Sequence, residues 1–391
     1  MSEMQLTEGY RFAGVHSGIR PDPQRLDLAL VVSDRPAAAA GVFTQNRVCA
    51  APVHICRKRL PSASARGVVI CSGNANACTG KQGLHDAERM AEVAAEAVGC
   101  KAKQMLVCST GVIGRFLPMD CVEPGIRQAA EKLQPTKDSF SNAAHAILTT
   151  DTKIKVYAEA GDASITAFAK GAAMIGPNMA TMLGFVLSDA AVEPDDLAKL
   201  AKSAVQRSFN CLSVEGHTST NDTVLFFANG EGKPLHGKAL RRFGERLETA
   251  CFDLARQIAA DAEGAKHLVR IEVEGLRNDA DAHRIAKTVA ESALVKTAIF
   301  GADPNWGRVV SAAGYAGVAF EEKDLSLWMG DLLLYKKGTP QDFDAKEASA
   351  YLKNNREVTF RLKFNLGSGS CNFWTCDLTD EYVRLNADYT T

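Results

Sequence analysis

An α+β protein built as a mixed α/β layered sandwich is what the sequence predicts, and three patterns predict it. Short, continuous apolar runs recur along the chain at strand length. Between them lie longer stretches whose apolar residues fall at helical spacing. Two further runs alternate strictly, as strands with one wet face do. At 391 residues the chain can bury a large core, as two or three domains or as one large α/β unit.

Taken in order, LALVVS (28–33), GVVICS (67–72), MLVCS (105–109), MLGFVLS (182–188) and TVLFFANG (223–230) predict strands in a sheet interior. SITAFAK (164–170) predicts another, ending on Lys170. LVRIEVEG (268–275) puts Val269, Ile271 and Val273 on one face. VTFRLKFN (358–365) sets Val358, Phe360, Leu362 and Phe364 against Thr359, Arg361 and Lys363. Strands that alternate in this way make the sheet at least partly antiparallel. Helices are predicted over 195–208, from Leu197, Leu200, Ala201, Ala204 and Val205, and over 238–260, from Leu240, Phe243, Leu247, Cys251, Leu254 and Ile258. Further helices fall near 85–98, 123–134 and 281–294. The polar stretches 134–142 and 335–348 read as surface excursions, and YVRLN (382–386) reads as a strand.

Composition excludes several classes. Lys and Arg number 45 against 46 Asp and Glu, for a net charge of −1, and no basic cluster occurs. A nucleic-acid footprint or a membrane-surface patch needs such a cluster. MSEMQLTEGYRFAG lacks the basic-then-apolar pattern of a secretory signal, and no run of 18 apolar residues occurs, so a soluble, cytoplasmic protein is expected. The eleven cysteines are odd in number, form no C-x-x-C and sit mostly in apolar runs. Buried, reduced thiols fit that pattern better than disulfides or zinc. The eight histidines are scattered, so no metal is expected. There is no Walker A, no G-x-G-x-x-G and no G-x-S-x-G; GSGSC (367–371) has glycines without the spacing.

The stretch GPNMATML (176–183) places Thr181 between a turn and an apolar strand. A threonine hydroxyl needs a base beside it to act as a nucleophile. The nearest such base is its own α-amine, which exists only if the bond after Ala180 is cut. That amine titrates near ~8, against ~10.4 for a lysine, so much of it is basic at working pH. Ala180 leaves its carbonyl open to the hydroxyl, Pro177 fixes φ, and β-branching limits how Thr181 can aim its Oγ. A plain turn feeding a strand is the other reading of these eight residues.

AKGAAMIGPNMATMLGFVLSDA (169–190) resembles the processing site of the ornithine acetyltransferase family, the glutamate N-acetyltransferases of cyclic arginine biosynthesis. NRVCAAPV (46–53), SGNANACTG (72–80), STGVIGR (109–115), TTDT (149–152), TSTNDTVLFFANG (218–230), ADPNWGR (302–308) and LNADYTT (385–391) resemble family segments in the same order. The likeness spans nearly the whole chain.

That resemblance implies an ornithine acetyltransferase-like fold of the self-processed, N-terminal-nucleophile type. The chain would cut itself between Ala180 and Thr181 into an α chain, 1–180, and a β chain, 181–391. Thr181 would be both processing nucleophile and acetyl carrier, with Thr110 and Gly111 stabilising the oxyanion. Thr149, Lys170, Thr181, Glu263, Asn386 and Thr391 would bind substrate, although Thr150 is an alternative to Thr149. Glu263 is expected at the C-terminus of the 238–260 helix with Gly264 as cap, where a substrate ammonium would offset the helix dipole; a salt bridge to Lys266 is the other reading. Asp222 and Arg308 would brace the site. His217, Ala172 and CNFWTC (371–376) depart from the family pattern.

The implied reaction moves acetyl from N-acetylornithine to glutamate without a cofactor, with acetyl-CoA as a possible second donor. The implied assembly pairs α and β chains into a heterotetramer or larger. An N-terminal-nucleophile aminopeptidase or amidase, in which water takes the acyl group, is the alternative enzyme class. An uncut binding protein is the third.

Overall fold

The computed structural model describes residues 4–176 and 182–388. The expectations for Pro177, Ala180, Thr181 and Thr391 lie outside the described residues.

Eight strands build the first sheet: β1 (Tyr10–Val15), β2 (Leu28–Phe43), β3 (Ser62–Asn74), β4 (Met105–Val112), β5 (Lys155–Glu159), β6 (Ile165–Lys170), β7 (Leu183–Ser188) and β8 (Thr223–Ala228). Their order is β4-β3-β2-β8-β7-β6-β5, with β1 paired to β2 off that path. The pairs β3–β4 and β7–β8 are parallel and the rest antiparallel, so the sheet is mixed. A second sheet of six strands holds β9 (Leu268–Leu276), β10 (Ser326–Met329), β11 (Leu332–Lys336), β12 (Thr339–Pro340), β13 (Glu357–Lys363) and β14 (Gly369–Cys376). Here β13 and β9 run parallel.

Helices cover both faces of the first sheet. On one side lie α1 (Ala51–Arg59), α2 (Gly80–Val98), α3 (Met119–Glu131) and α4 (Lys137–Ala146); on the other lie α5 (Pro194–Gln206) and α6 (Gly237–Ala260). The second sheet carries α7 (Asp279–Glu291), α8 (Ala293–Phe300) and α9 (Trp306–Gly314). Two more, α10 (Ala345–Asn354) and α11 (Asp380–Asp388), complete the chain. α6 lies between the sheets: its apolar face shares a core with β6 to β8 and with Leu268, Trp374 and Cys376 of β9 and β14.

The apolar runs follow from this layering. On β6 to β8, Phe168, Phe185, Leu225 and Phe227 face the α1–α4 side, while Ala167, Ala169, Val186, Val224 and Phe226 face α5 and α6. With both faces covered, strand residues have no polar side to alternate with. β9 and β13 alternate because one face is wet: Val269, Ile271, Val273, Val358, Phe360 and Leu362 are buried.

Three expectations need correction. Residues 134–142 are not a surface excursion, since most of them form α4. Thr136 caps that helix by accepting the Ser139 N–H, and Phe140 is fully buried beneath it. YVRLN is not a strand but part of α11, whose start is tied by the Thr379 hydroxyl accepting the Tyr382 N–H at 3.0 Å. Its alternation never reported burial, because Val383 and Leu385 are both exposed. Finally, α6 ends at Ala260 with Asp261 as its cap, so Gly264 is not its cap. All eleven cysteines are free thiols; the buried reading holds for Cys56, Cys71, Cys108, Cys211, Cys251 and Cys376, but Cys78 is exposed.

Four aromatic rings tie α4 to the centre of the first sheet. Phe12 meets Phe140 edge-on at 5.1 Å, Phe140 meets Phe168 edge-on at 5.6 Å, and Phe168 stacks on Phe185 at 4.9 Å. Edge-on and offset contacts suit the ring quadrupoles. Phe140→Ala is expected to destabilise the fold by about 3–5 kcal/mol, through lost transfer energy plus a cavity. Urea unfolding of the variant beside the parent checks this.

Candidate active site

A cavity of about 100 Å³ opens where the ends of several first-sheet strands converge. Thr110, Gly111, Thr149, Thr150, Lys170, Glu263 and Asn386 line it, so the six described residues expected at the site meet in one place. Both candidate threonines of TTDT, Thr149 and Thr150, reach the cavity. Thr181 and Thr391 lie outside the described residues.

Thr110 and Gly111 are among the last residues of β4. Gly111 has φ +135°, and a Cβ there would stand 2.3 Å from the carbonyl carbon of Gly73. No side chain fits against β3 there, so the position requires glycine, and Gly111 lines the cavity. Thr110 is buried, and its Oγ1 accepts a hydrogen bond from Lys170 Nζ at 3.4 Å.

Lys170 is 1 % exposed and sits at the tip of β6. Burial pushes its ammonium below the usual lysine range, and Asp151 opposes that shift. The Asp151 carboxylate is the hub beneath it. Oδ1 takes Lys155 Nζ at 2.6 Å and the Gly171 N–H at 2.6 Å; Oδ2 takes the Thr149 N–H at 3.0 Å and lies 3.9 Å from Lys170 Nζ. Burial works to raise this carboxyl, but Lys170 and Lys155 outweigh it and hold Asp151 well below the usual carboxylate range. Lys155 in turn bonds Asp261 just past α6 at 2.5 Å, so the network ties the sheet to that helix.

Glu263 follows α6 by three residues rather than ending it. Its N–H donates to the Ala172 carbonyl at 2.9 Å, and its Oε2 accepts from Asn386 Nδ2 at 3.0 Å. The alternative salt bridge to Lys266 is not formed; that ammonium lies over the Phe300 ring at 4.9 Å. Glu263 and Asn386 thus present one acidic and one amide group on the wall of the cavity.

Sequence reasoning gave no role to Asp151, Ser219, Thr220 or Asn221. Asn221 Nδ2 donates to the Ala75 carbonyl at 2.6 Å and the Ser109 carbonyl at 2.8 Å, clamping three motif segments together. The order of those motifs in the chain was visible, but their meeting point was not. Arg308 does not brace the cavity. It donates to the Leu294 carbonyl at 2.8 Å and does not line the cavity.

Residues 213–223 hold both flanks of the stretch that contains Thr181. Upstream, the Ile175 carbonyl accepts the N–H groups of Val214, Glu215 and Gly216 at 2.8, 3.3 and 3.1 Å, while Glu215 Oε1 accepts the Ile175 N–H at 2.5 Å. Downstream, Asp222 Oδ1 accepts the Met182 N–H at 3.1 Å.

The geometry of this cavity is a basis for comparison with known proteins. A model of the ArgJ family matches residues 11–391. The chain belongs to the ArgJ family. The arginine biosynthesis bifunctional protein ArgJ of Rhodopirellula baltica is 44% identical over 396 residues, covering 99% of this chain and 96% of that one. Its counterpart in Symbiobacterium thermophilum is 46% identical over 393 residues, covering 98% and 97%. The crystal structure of arginine biosynthesis bifunctional protein ArgJ from Bacillus halodurans superposes with a TM-score of 0.52 at 41% identity, covering 54% of this chain and 100% of that chain. The cavity is therefore the candidate site of an ArgJ-family fold. Among the described residues no helix is long and apolar enough to cross a membrane.

Glu215 gives this site a proton-linked anchor. Burial raises its carboxyl from the ordinary 4.5 to about 7, against the lowering pull of the Ile175 N–H. The folded protein therefore keeps that proton over a range where the unfolded chain has lost it. Stability should fall as pH rises from about 4.5 to 7, by about 3 kcal/mol from this group. E215Q is expected to flatten that slope, which urea midpoints measured across the range will show.

Proposed function

We propose that the protein transfers acetyl groups by a ping-pong mechanism, from N-acetylornithine to glutamate, through an acetyl ester on Thr181. Membership of the ArgJ family and near full-length similarity to arginine biosynthesis bifunctional proteins support the reaction class. The observation that carries the site assignment is the row Lys170–Thr110–Gly111 along the cavity wall.

In this reading the chain is first cut between Ala180 and Thr181. The freed α-amine of Thr181 takes the hydroxyl proton as Oγ attacks the acetyl carbonyl carbon. The carbonyl electrons move to oxygen. That oxyanion is met by the Thr110 hydroxyl and the Gly111 N–H. Because Thr110 Oγ1 accepts from the Lys170 ammonium, its own hydrogen is left to donate, and the ammonium polarises it. The tetrahedral intermediate collapses, the C–N bond breaks, and ornithine leaves with the proton. The glutamate amine then attacks the acetyl ester and regenerates Thr181. Glu263, with Asn386 on it, supplies the negative charge that an ornithine ammonium would meet. Lys170 supplies the positive charge for a carboxylate.

We infer that acetyl-CoA serves as a second donor to the same threonine. The two chains would remain paired, in a heterotetramer or larger assembly, in the cytoplasm.

Mass spectrometry after incubation with N-acetylornithine and glutamate, with and without acetyl-CoA, tests the reaction. N-acetylglutamate is the expected product, and free acetate without it would mark a hydrolase. T181A should remain one chain of full mass and lose transfer by at least about 1,000-fold. T110V should lower kcat by about 100- to 1,000-fold, with the KM for donor changing far less.

A further inference from the structure

Two thiols at the second core lie against each other, and the proposed reaction uses neither. Cys211 ends the short 3-10 turn Phe209–Cys211 and Cys371 lies on β14, with their sulfurs 3.8 Å apart. Cys211 is 5 % exposed, whereas Cys371 is half-buried. The chain after Cys211 already leans on β14: Leu212 bridges Trp374, and the Ser213 N–H donates to the Trp374 carbonyl at 3.0 Å. A disulfide needs its sulfurs at about 2.05 Å. β14 is the edge strand of the second sheet and carries a bulge at Gly369–Ser370, beside Cys371, so a small shift of one edge closes the gap. Cys56 and Cys108 also touch, but both are buried, so an oxidant has no entry there.

We propose that Cys211 and Cys371 are a redox pair, which a disulfide oxidant of the glutathione type closes into a cross-link that staples the start of residues 213–223 to the second sheet. Entry is at Cys371, the half-buried thiol. The Cys371 sulfur and burial both push the Cys211 thiol well above its usual range, so Cys211 keeps its proton and does not attack first. The Cys371 sulfur attacks one sulfur of oxidised glutathione, the glutathione S–S bond breaks, and one glutathione leaves with the Cys371 proton. The Cys211 sulfur then attacks the Cys371 sulfur of the mixed disulfide; the second glutathione leaves with the Cys211 proton as the protein S–S bond forms. Two protein thiols are oxidised and one glutathione disulfide is reduced. Both cysteines follow residue 181, so the link lies within one chain whether or not the chain is cut, and the proposal stands apart from the reaction above. The two are 160 residues apart, and a cross-link over that span restricts the unfolded chain. It also anchors the run that holds Ile175 and Met182 beside the candidate site.

Incubation of the folded protein with oxidised glutathione, followed by non-reducing peptide mass spectrometry, tests this. A peptide joined through Cys211 and Cys371 is expected, about 2 Da lighter than its two reduced parts and released by dithiothreitol. The exposed Cys78 should carry glutathione in the same sample, which shows that the oxidant acted. Glutathione on Cys78 without the Cys211–Cys371 link overturns the proposal. C211S should trap the intermediate, with glutathione retained on Cys371, and a bare Cys371 in that variant overturns entry there. C371S should show neither a link nor glutathione on Cys211; an adduct on Cys211 overturns the order of attack. The urea midpoint of the linked protein should shift upward relative to C371S treated in the same way. A link with no upward shift overturns the stapling role.

Discussion

The carboxylate of Asp151 is the contact on which the candidate site depends. A lysine ammonium as buried as that of Lys170 would shed its proton without a counter-charge. Asp151 supplies the charge but would itself be driven neutral without Lys155 and the Gly171 N–H. Lys170 and Asp151 each favour the other's charged form, and Lys155 adds to the hold on Asp151. Such buried clusters contribute little net stability, because desolvation consumes most of the Coulombic gain. Their value here is geometric. Asp151 sits between the tip of β6 and the start of β5, and through Lys155 it reaches Asp261 beyond α6. Fixing Lys170 fixes the polarity of Thr110, and the wall of the cavity follows.

Local patterns made the architecture largely legible and left the centre of the site partly dark. The runs buried on both faces within β2, β3, β4, β7 and β8 announced themselves, because residues covered on both sides are mostly apolar. α4 was hidden by its exposed polar face: within KDSFSN only Phe140 is fully buried. α11 was misread because Val383 and Leu385 alternate with polar residues yet face solvent. Periodicity records burial, and where nothing is buried it records chance. Lys170, Glu263 and Asn386 were found through resemblance and not through spacing. Asp151 and Asn221 were missed since their work is to join loops far apart in sequence, and a hydrogen bond spanning 146 residues, such as that from Asn221 to Ala75, leaves no local trace.

Residues 213–223 act on both sides of the Thr181 stretch at once. Ile175 is held through its carbonyl and its N–H, and Met182 through its N–H to Asp222. Both holds come from one short length of chain that leads into β8, itself paired to β2 and β7. The flanks are therefore referenced to the same rigid sheet rather than to each other.

The position of β7 carries one more consequence. Chain ends ordinarily fray, because a terminal residue has neighbours on one side only. A chain that begins at Thr181 enters, within two residues, a strand flanked by β6 and β8 and covered by helices on both faces; Leu183 is already paired with Lys170 and Thr223. Met182 and Leu183, with which the described chain resumes, are both buried, and Met182 is held through its N–H by Asp222. The neighbour of the proposed free amine thus has the immobility of an interior, although it stands one residue from an end.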